Sequence, residues 1–163
     1  MNRVAKNEAL AAIKTADTLY HRLVLLVGET DSGKTTVLRA LGRDLSVDVI
    51  NVNLAVSAEL LELTAKQRVL RLPGILEQIS DQDSSPVLLD NLEILFDRNL
   101  QQDPLRLLQH LARNRTIVAA WGGSVSGEKL LYAALGHDEY RSYEASDALV
   151  VSLNKTTQAT PVE

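Results

Sequence analysis

Residues 28–35 read Gly-Glu-Thr-Asp-Ser-Gly-Lys-Thr and fit G-x-x-x-x-G-K-[ST] without a gap. That spacing is a device for holding polyphosphate. Gly28 and Gly33 let the backbone turn tightly enough for its N–H groups to face an anion, and the positive end of a following helix adds to the attraction. Lys34 supplies a point charge for the β- and γ-phosphates, and the Thr35 hydroxyl a ligand for Mg²⁺. Glu29, Thr30, Asp31, Ser32 and Thr36 complete the candidate nucleotide-binding loop. Asp31 stands where many such loops carry another glycine. Asp tolerates the left-handed backbone region better than most residues, so the loop is still expected to close. Glu29 and Asp31 nonetheless set two carboxylates beside a polyanion site. Either they face solvent, or they weaken nucleotide binding until Mg²⁺ is present.

A second group lies further along. Val87-Leu88-Leu89 is an apolar run that ends in Asp90. A carboxylate at the end of a buried strand, one strand–helix unit after the loop helix, occupies the Walker B place and holds Mg²⁺. The residue after it is commonly a Glu that polarises the attacking water. Here it is Asn91, which orients water but takes no proton, and Glu93 follows two positions on. Hydrolysis is therefore slow, or its base is Glu93 or a residue of another subunit, or the nucleotide acts as a binding switch.

The elements that must carry these groups are legible as periodicity. Leu23 to Val27 is a continuous apolar run, as a strand covered on both faces requires, and Val37, Leu38 and Leu41 give the spacing of a helix packed on the sheet. An amphipathic helix is predicted over residues 4–20, and Tyr20 or His21 is placed either against the base or in packing. Val47 to Leu54 alternates like a strand, and Ser57 is the expected cap of a short helix reaching Leu63. Thr64-Ala65-Lys66-Gln67 has capping-box spacing, and Pro73-Gly74 is expected to kink or break the helix it opens. Lys66, Arg68 and Arg71 form a basic cluster there, read as a solvated face or as a contact to a partner subunit or to phosphate. Asp103-Pro104 starts another helix. Thr116 to Trp121 is the next strand. Its exit, Gly122-Gly123-Ser124, is expected at the carboxyl edge of the sheet, where Trp121 or Ser124 senses the γ-phosphate or the glycines serve a tight turn. Leu130 to Ala133 is predicted to pair back on that strand as a hairpin, and Ala148 to Leu153 to be the last strand.

The expected fold is α/β: a P-loop NTPase with a mostly parallel sheet flanked by helices and a β-hairpin near the C-terminus. One domain spans residues 1–153, with a flexible tail over 154–163. The net charge of −4 argues against a generally nucleic-acid-coating protein, and the absence of cysteine excludes disulfides and thiol chemistry. The first residues carry no apolar signal segment, and the longest apolar run is far too short to cross a bilayer, so a cytoplasmic location is expected. His137, Asp138 and Glu139 are adjacent and cannot all converge on one metal ion.

Beyond the loop, the run Asp90-Asn91-Leu92-Glu93-Ile94-Leu95-Phe96 and the segment Gly136-His137-Asp138-Glu139-Tyr140-Arg141 carry a family likeness. Over about residues 20–153 the chain resembles BrxF, the compact phosphate-loop proteins of type 3 BREX phage-defence systems. The resemblance implies a bacterial ATPase component that uses ATP and Mg²⁺ and works with other phage-defence proteins, a methyltransferase among them, to modify host DNA and exclude phage. Any DNA contact is then made through the complex. By position, Lys34 and Thr35 inherit the phosphate and Mg²⁺ roles and Asp90 the Walker B role. Asn91 belongs to the pattern of that family and leaves the water-activating residue unassigned.

Three functions stay open. An ATPase that assembles with partners or with copies of itself takes an arginine from a neighbour, and Arg98, Arg113, Arg115 and Arg141 are candidates. Arg113 and Arg115 are expected at the wrong edge of the sheet, which favours Arg141. A small P-loop kinase would need an arginine-rich lid that excludes water, and no dense arginine segment is present. A nucleotide-gated scaffold binds without turnover, with Asn91 as its support. No guanine-reading N/T-K-x-D motif occurs, so ATP is the expected nucleotide.

Overall fold

The computed structural model describes residues 3–133, 141–144 and 148–153. The elements run α1 (Arg3–Ala16), β1 (Leu23–Gly28), α2 (Lys34–Leu45), β2 (Val49–Asn51), α3 (Val52–Leu60), α4 (Ala65–Ile79), β3 (Val87–Asp90), α5 (Pro104–Leu111), β4 (Ile117–Ser126), β5 (Lys129–Tyr132), β6 (Arg141–Glu144) and β7 (Leu149–Ser152). Two 3₁₀ turns, Glu93–Phe96 and Arg98–Leu100, lie between β3 and α5.

The sheet order is β2-β3-β4-β1-β7, and all four pairings along it are parallel. The unbroken apolar runs follow from that arrangement, because each strand has both faces covered. Leu23, Leu25 and Val27 of β1 join Val87 and Leu89 of β3 and Ile117, Ala119 and Trp121 of β4 on the face covered by α3, α4 and α5. Val24, Leu26, Leu88, Val118 and Ala120 point the other way, onto α1 and α2. One strand sequence thus serves two cores by the period of two.

Several elements differ from the sequence expectation, each for a physical reason. The N-terminal helix stops at Ala16 rather than residue 20, because the chain tightens into three-residue turns there, the Thr18 N–H donating to the Thr15 carbonyl at 3.1 Å and the Leu19 N–H to the Ala16 carbonyl at 2.9 Å. The β2 strand has only three residues, because the Asn51 side chain accepts from the Leu54 N–H at 3.0 Å and starts α3 at Val52. The cap of that helix is therefore Asn51, and Ser57 lies within it. The capping box of Thr64 and Gln67 forms as expected. Pro73, by contrast, does not break α4, which is continuous to Ile79. Pro73 has no N–H for the carbonyl of Val69. The side-chain amide of Gln102 donates to that carbonyl instead, at 2.9 Å.

The largest correction concerns β4. Gly122 and Gly123 are strand residues, and the turn comes later, at Gly127 with φ 61°. The strand pairs in parallel with β1 as far as Gly122, then antiparallel with β5 from Gly123 onward. A Cβ on Gly123 would lie 1.9 Å from the Leu131 carbonyl oxygen, so only glycine allows β5 to come alongside. Trp121 is fully buried in the core, donates its indole N–H to Leu131 at 3.0 Å and is not a phosphate sensor. Arg141, expected in a loop, is in β6, a strand that polar Arg-Ser-Tyr-Glu does not announce. The Gly136-to-Tyr140 part of the family segment and the 154–163 tail lie outside the described residues.

Candidate nucleotide site

The carboxyl ends of β1, β2, β3 and the parallel half of β4 meet at one edge of the sheet. In the registers, Gly28 faces Gly122 and Asn51 faces Asp90. That common edge brings the two chemical groups of the sequence together.

The phosphate loop is built by its backbone. A Cβ on Gly28 would meet Ser32 Oγ at 2.1 Å, so glycine is what lets the loop fold back on itself. Ser32 N–H donates to the Glu29 carbonyl at 3.1 Å, which closes the turn. Asp31 adopts φ 67°, as its tolerance of the left-handed region led one to expect, and Gly33 adopts φ 100° as the cap of α2. No side chain caps that helix, which leaves its first N–H groups available to an anion. Ser32 Oγ is buried and has no hydrogen-bond partner. Glu29, Thr30, Asp31 and Thr36 are exposed.

Lys34 folds back over this loop, its ammonium donating to the carbonyls of Gly28 at 2.6 Å and Glu29 at 3.0 Å. Burial pushes its pKa down. The carboxylates of Asp90, Glu93, Asp31 and Glu29, in that order, oppose the shift by favouring the charged form. Asp31 and Glu29 are therefore exposed and still act on the lysine. Glu93 itself lies three residues after Asp90, on the segment that leaves the same edge of the sheet.

Thr35 Oγ1 donates to Asp90 Oδ2 at 2.7 Å. Two residues 55 positions apart are thus in direct contact, and Asp90 is buried. An all-oxygen pair of this kind suits a hard cation such as Mg²⁺, which keeps several waters and takes few protein ligands. Together with the phosphate loop, these oxygens fit Mg²⁺ and a nucleotide triphosphate.

Asn91 leaves β3 with φ 56°, a conformation that Asn accepts more readily than most residues. Its N–H donates to Asp90 Oδ1 at 2.9 Å and its carbonyl accepts from the Asn53 N–H at 2.9 Å. The position thus works as a backbone pivot. After it, Glu93 opens a 3₁₀ turn, exposed and hydrogen-bonded through Oε1 to Asn53 Nδ2 at 3.3 Å. Asn53 is a site residue that sequence reading missed. As the seventh residue of the alternating run from Val47 to Leu54 it looked like part of a strand.

The remaining expectations are distributed elsewhere. Arg141 donates to the carbonyls of Gln102 at 3.0 Å and Phe96 at 3.2 Å, inside its own chain. Arg115 pairs with Glu77 at 2.8 Å and Arg113 stacks over the Tyr20 ring, both by the amino end of β4. Tyr20 and His21 precede β1, whose six residues put about 20 Å between them and the phosphate loop. Ser124 is half-buried on the antiparallel half of β4, opposite Leu131.

Comparison with known families agrees with this geometry. The model of the ATPase family associated with various cellular activities (AAA) matches residues 24–119, more than half of the 163-residue chain. No curated protein matches the chain significantly. Among the described residues, no helix is long and apolar enough to cross a membrane.

Proposed function

The chain belongs to the AAA family of ATPases, and from that premise we propose that it binds Mg-ATP at the 28–36 loop and hydrolyses it with Glu93 as base. The observation that carries this reading is the 2.7 Å bond between Thr35 and Asp90. It joins the phosphate loop to the β3 exit.

Bound polyphosphate lies along the loop N–H groups and the open start of α2, while Lys34 exchanges the Gly28 and Glu29 carbonyls for phosphate oxygens. Thr35 and Asp90 are the residues that would hold Mg²⁺, which would supply charge neutralisation for the phosphates. Water attacks the γ-phosphorus, the bond to the β,γ-bridging oxygen breaks, and ADP and phosphate result. The proton of the water goes to the Glu93 carboxylate. Asn91, pinned through its backbone, turns the chain so that Glu93 faces the site. Arg141 serves from within the chain by holding the segment after β3. An arginine that completes the site from a neighbouring copy is a further part of the proposal.

The biological setting we infer is a bacterial phage-exclusion complex of the BREX type, with other defence proteins as partners and DNA reached through them. Its support is the resemblance carried by Asp90 to Phe96 and Gly136 to Arg141. The test is ATP hydrolysis by the purified chain, alone and with candidate partners or DNA. Turnover that disappears in Lys34→Ala and falls by about a hundredfold or more in Glu93→Gln is the expected result. Binding of ATP without turnover under every condition would replace the ATPase with a nucleotide-gated scaffold. Phosphate recovered on an added acceptor would make the protein a kinase.

A further inference from the structure

We propose that Tyr132 of β5 is a positioning residue for Glu93, acting through Phe96, a role that rests on reading Glu93 as the water-activating carboxylate. Phe96 closes the 3₁₀ turn that Glu93 opens. Its buried ring stacks on the ring of Tyr132, with centroids 3.4 Å apart and planes only 6° from parallel. The Trp121 ring stands nearly perpendicular to both, at 82° to Phe96 and 85° to Tyr132. A face contact and a perpendicular contact together fix where the Phe96 ring sits and how it tilts.

The same residue is gripped by its backbone. Tyr132 stands directly opposite Arg141 in the β5–β6 register, and the Arg141 guanidinium donates to the Phe96 carbonyl at 3.2 Å. Two cross-strand neighbours thus hold one residue, the first by its ring and the second by its carbonyl. A 3₁₀ turn has poorer hydrogen bonds than an α-helix, so its position depends on what packs on it. This one is four residues long, and a shift of Phe96 at its end is passed to Glu93 at its start. The place of that backbone decides how far the carboxylate stands from a water at the γ-phosphate. The clamp comes from the antiparallel part of the sheet, which exists because β4 runs on past Gly122. That extension thereby gains a part in turnover.

Two substitutions separate the ring from its hydroxyl. Tyr132→Phe keeps the stack and Tyr132→Leu removes it. The purified full chain is compared as wild type, these two variants, Lys34→Ala and Glu93→Gln, each checked for folding by circular dichroism. Tyr132→Met takes the place of Tyr132→Leu if the latter unfolds. Mg-ATP affinity is read by titration with a fluorescent ATP analogue and kcat by phosphate release. Tyr132→Leu is expected to lower kcat by about 10–100-fold, the scale of a misplacement of about 1 Å, with affinity within about twofold of wild type. Tyr132→Phe is expected to keep kcat within about threefold of wild type, because the stack remains. In single-turnover reactions Tyr132→Leu adds nothing to Glu93→Gln, as residues acting through one group require. Wild-type kcat in Tyr132→Leu overturns the proposal. So does a loss shared in full by Tyr132→Phe, one that appears equally in affinity, or one that repeats in full in the Glu93→Gln background. If Lys34→Ala and Glu93→Gln lose turnover while Tyr132→Leu does not, this inference fails alone. If wild type binds ATP and never turns it over, the hydrolytic reading fails and takes this one with it.

Discussion

The loop after β1 and the segment after β3 leave the same edge of the sheet, and both place a non-glycine residue in the left-handed region, Asp31 at φ 67° and Asn91 at φ 56°. They are held in different ways. The first closes on itself, through Gly28, the Glu29–Ser32 turn and the Lys34 bonds, all within seven residues. The second is held from a distance, by Asn53 of α3, by Val69 of α4 through the Gln102 side chain, and by Arg141 of β6. A local device leaves a motif in the sequence. A device assembled from remote residues leaves scattered polar side chains that carry no signature until the fold gathers them.

The most severe break in this pair is at the bond that joins them. Asp90→Ala removes the partner of Thr35 and a Mg²⁺ ligand together, so turnover is expected to fall by at least about a hundredfold, with the Mg²⁺ concentration needed for ATP binding rising. Phosphate release measured against Mg²⁺ checks it. Gly28→Ala attacks the local device alone. Its Cβ would meet Ser32 Oγ at 2.1 Å and Ser32 Cβ at 2.9 Å, so the loop must open. Nucleotide affinity is expected to drop more than tenfold, while the circular dichroism of the fold stays that of wild type.

The remote device breaks more softly. Gln102→Ala leaves the Val69 carbonyl without the donor that stands in for Pro73, and the Leu100 carbonyl without its 2.7 Å bond. An expected destabilisation of about 1–3 kcal/mol follows, read by urea unfolding. Turnover should suffer as well, because without its side-chain bonds residue 102 holds less firmly the backbone carbonyl that anchors Arg141. If stability falls and turnover does not, the segment after β3 is held well enough without this support.

This contrast also explains what could be read from the chain alone. The Gly28-to-Thr35 loop, the strand ending at Asp90 and the cap of α4 were legible because each depends on neighbours within a few residues. The early end of β2 was hidden, since Val47 to Leu54 alternates like a strand and the Asn51 side chain stops it. Gly122-Gly123 looked like a turn because glycine pairs usually are. Their actual cause, the approach of the Leu131 carbonyl to Gly123, is a contact with a different strand. Pro73 misled for the same reason, its missing hydrogen bond being replaced from Gln102, 29 positions away. Glu93 was visible as a carboxylate. What aims it was not.

The smallest effects come at the two left-handed residues, and they separate the regions most finely. Glycine suits both angles, so neither Asp31→Gly nor Asn91→Gly strains the backbone, whereas Asn91→Val is expected to destabilise by about 1–2 kcal/mol. The two glycine variants differ in charge. Lys34 has its pKa lowered by burial, opposed by Asp90, Glu93, Asp31 and Glu29. The folded chain therefore binds this proton less tightly than the unfolded chain does. Between the lowered folded pKa and the ordinary lysine value the unfolded state holds more protons, and there stability rises with pH. Below that interval both states are protonated and the burden on folding is complete; above it both are neutral and the burden is gone. The stability of wild type relative to Lys34→Met should then increase as pH rises through the interval, measured by urea unfolding without nucleotide. Asp31→Gly removes one carboxylate that retains the proton, so it moves the lower limit of the interval further down. Asn91→Gly removes no charge and should leave that limit in place, unless the pivot at Asn91 also sets the distance from Glu93 to Lys34. In that case the limit moves with Asn91→Gly too, and the segment after β3 is shown to govern the charge of the phosphate loop.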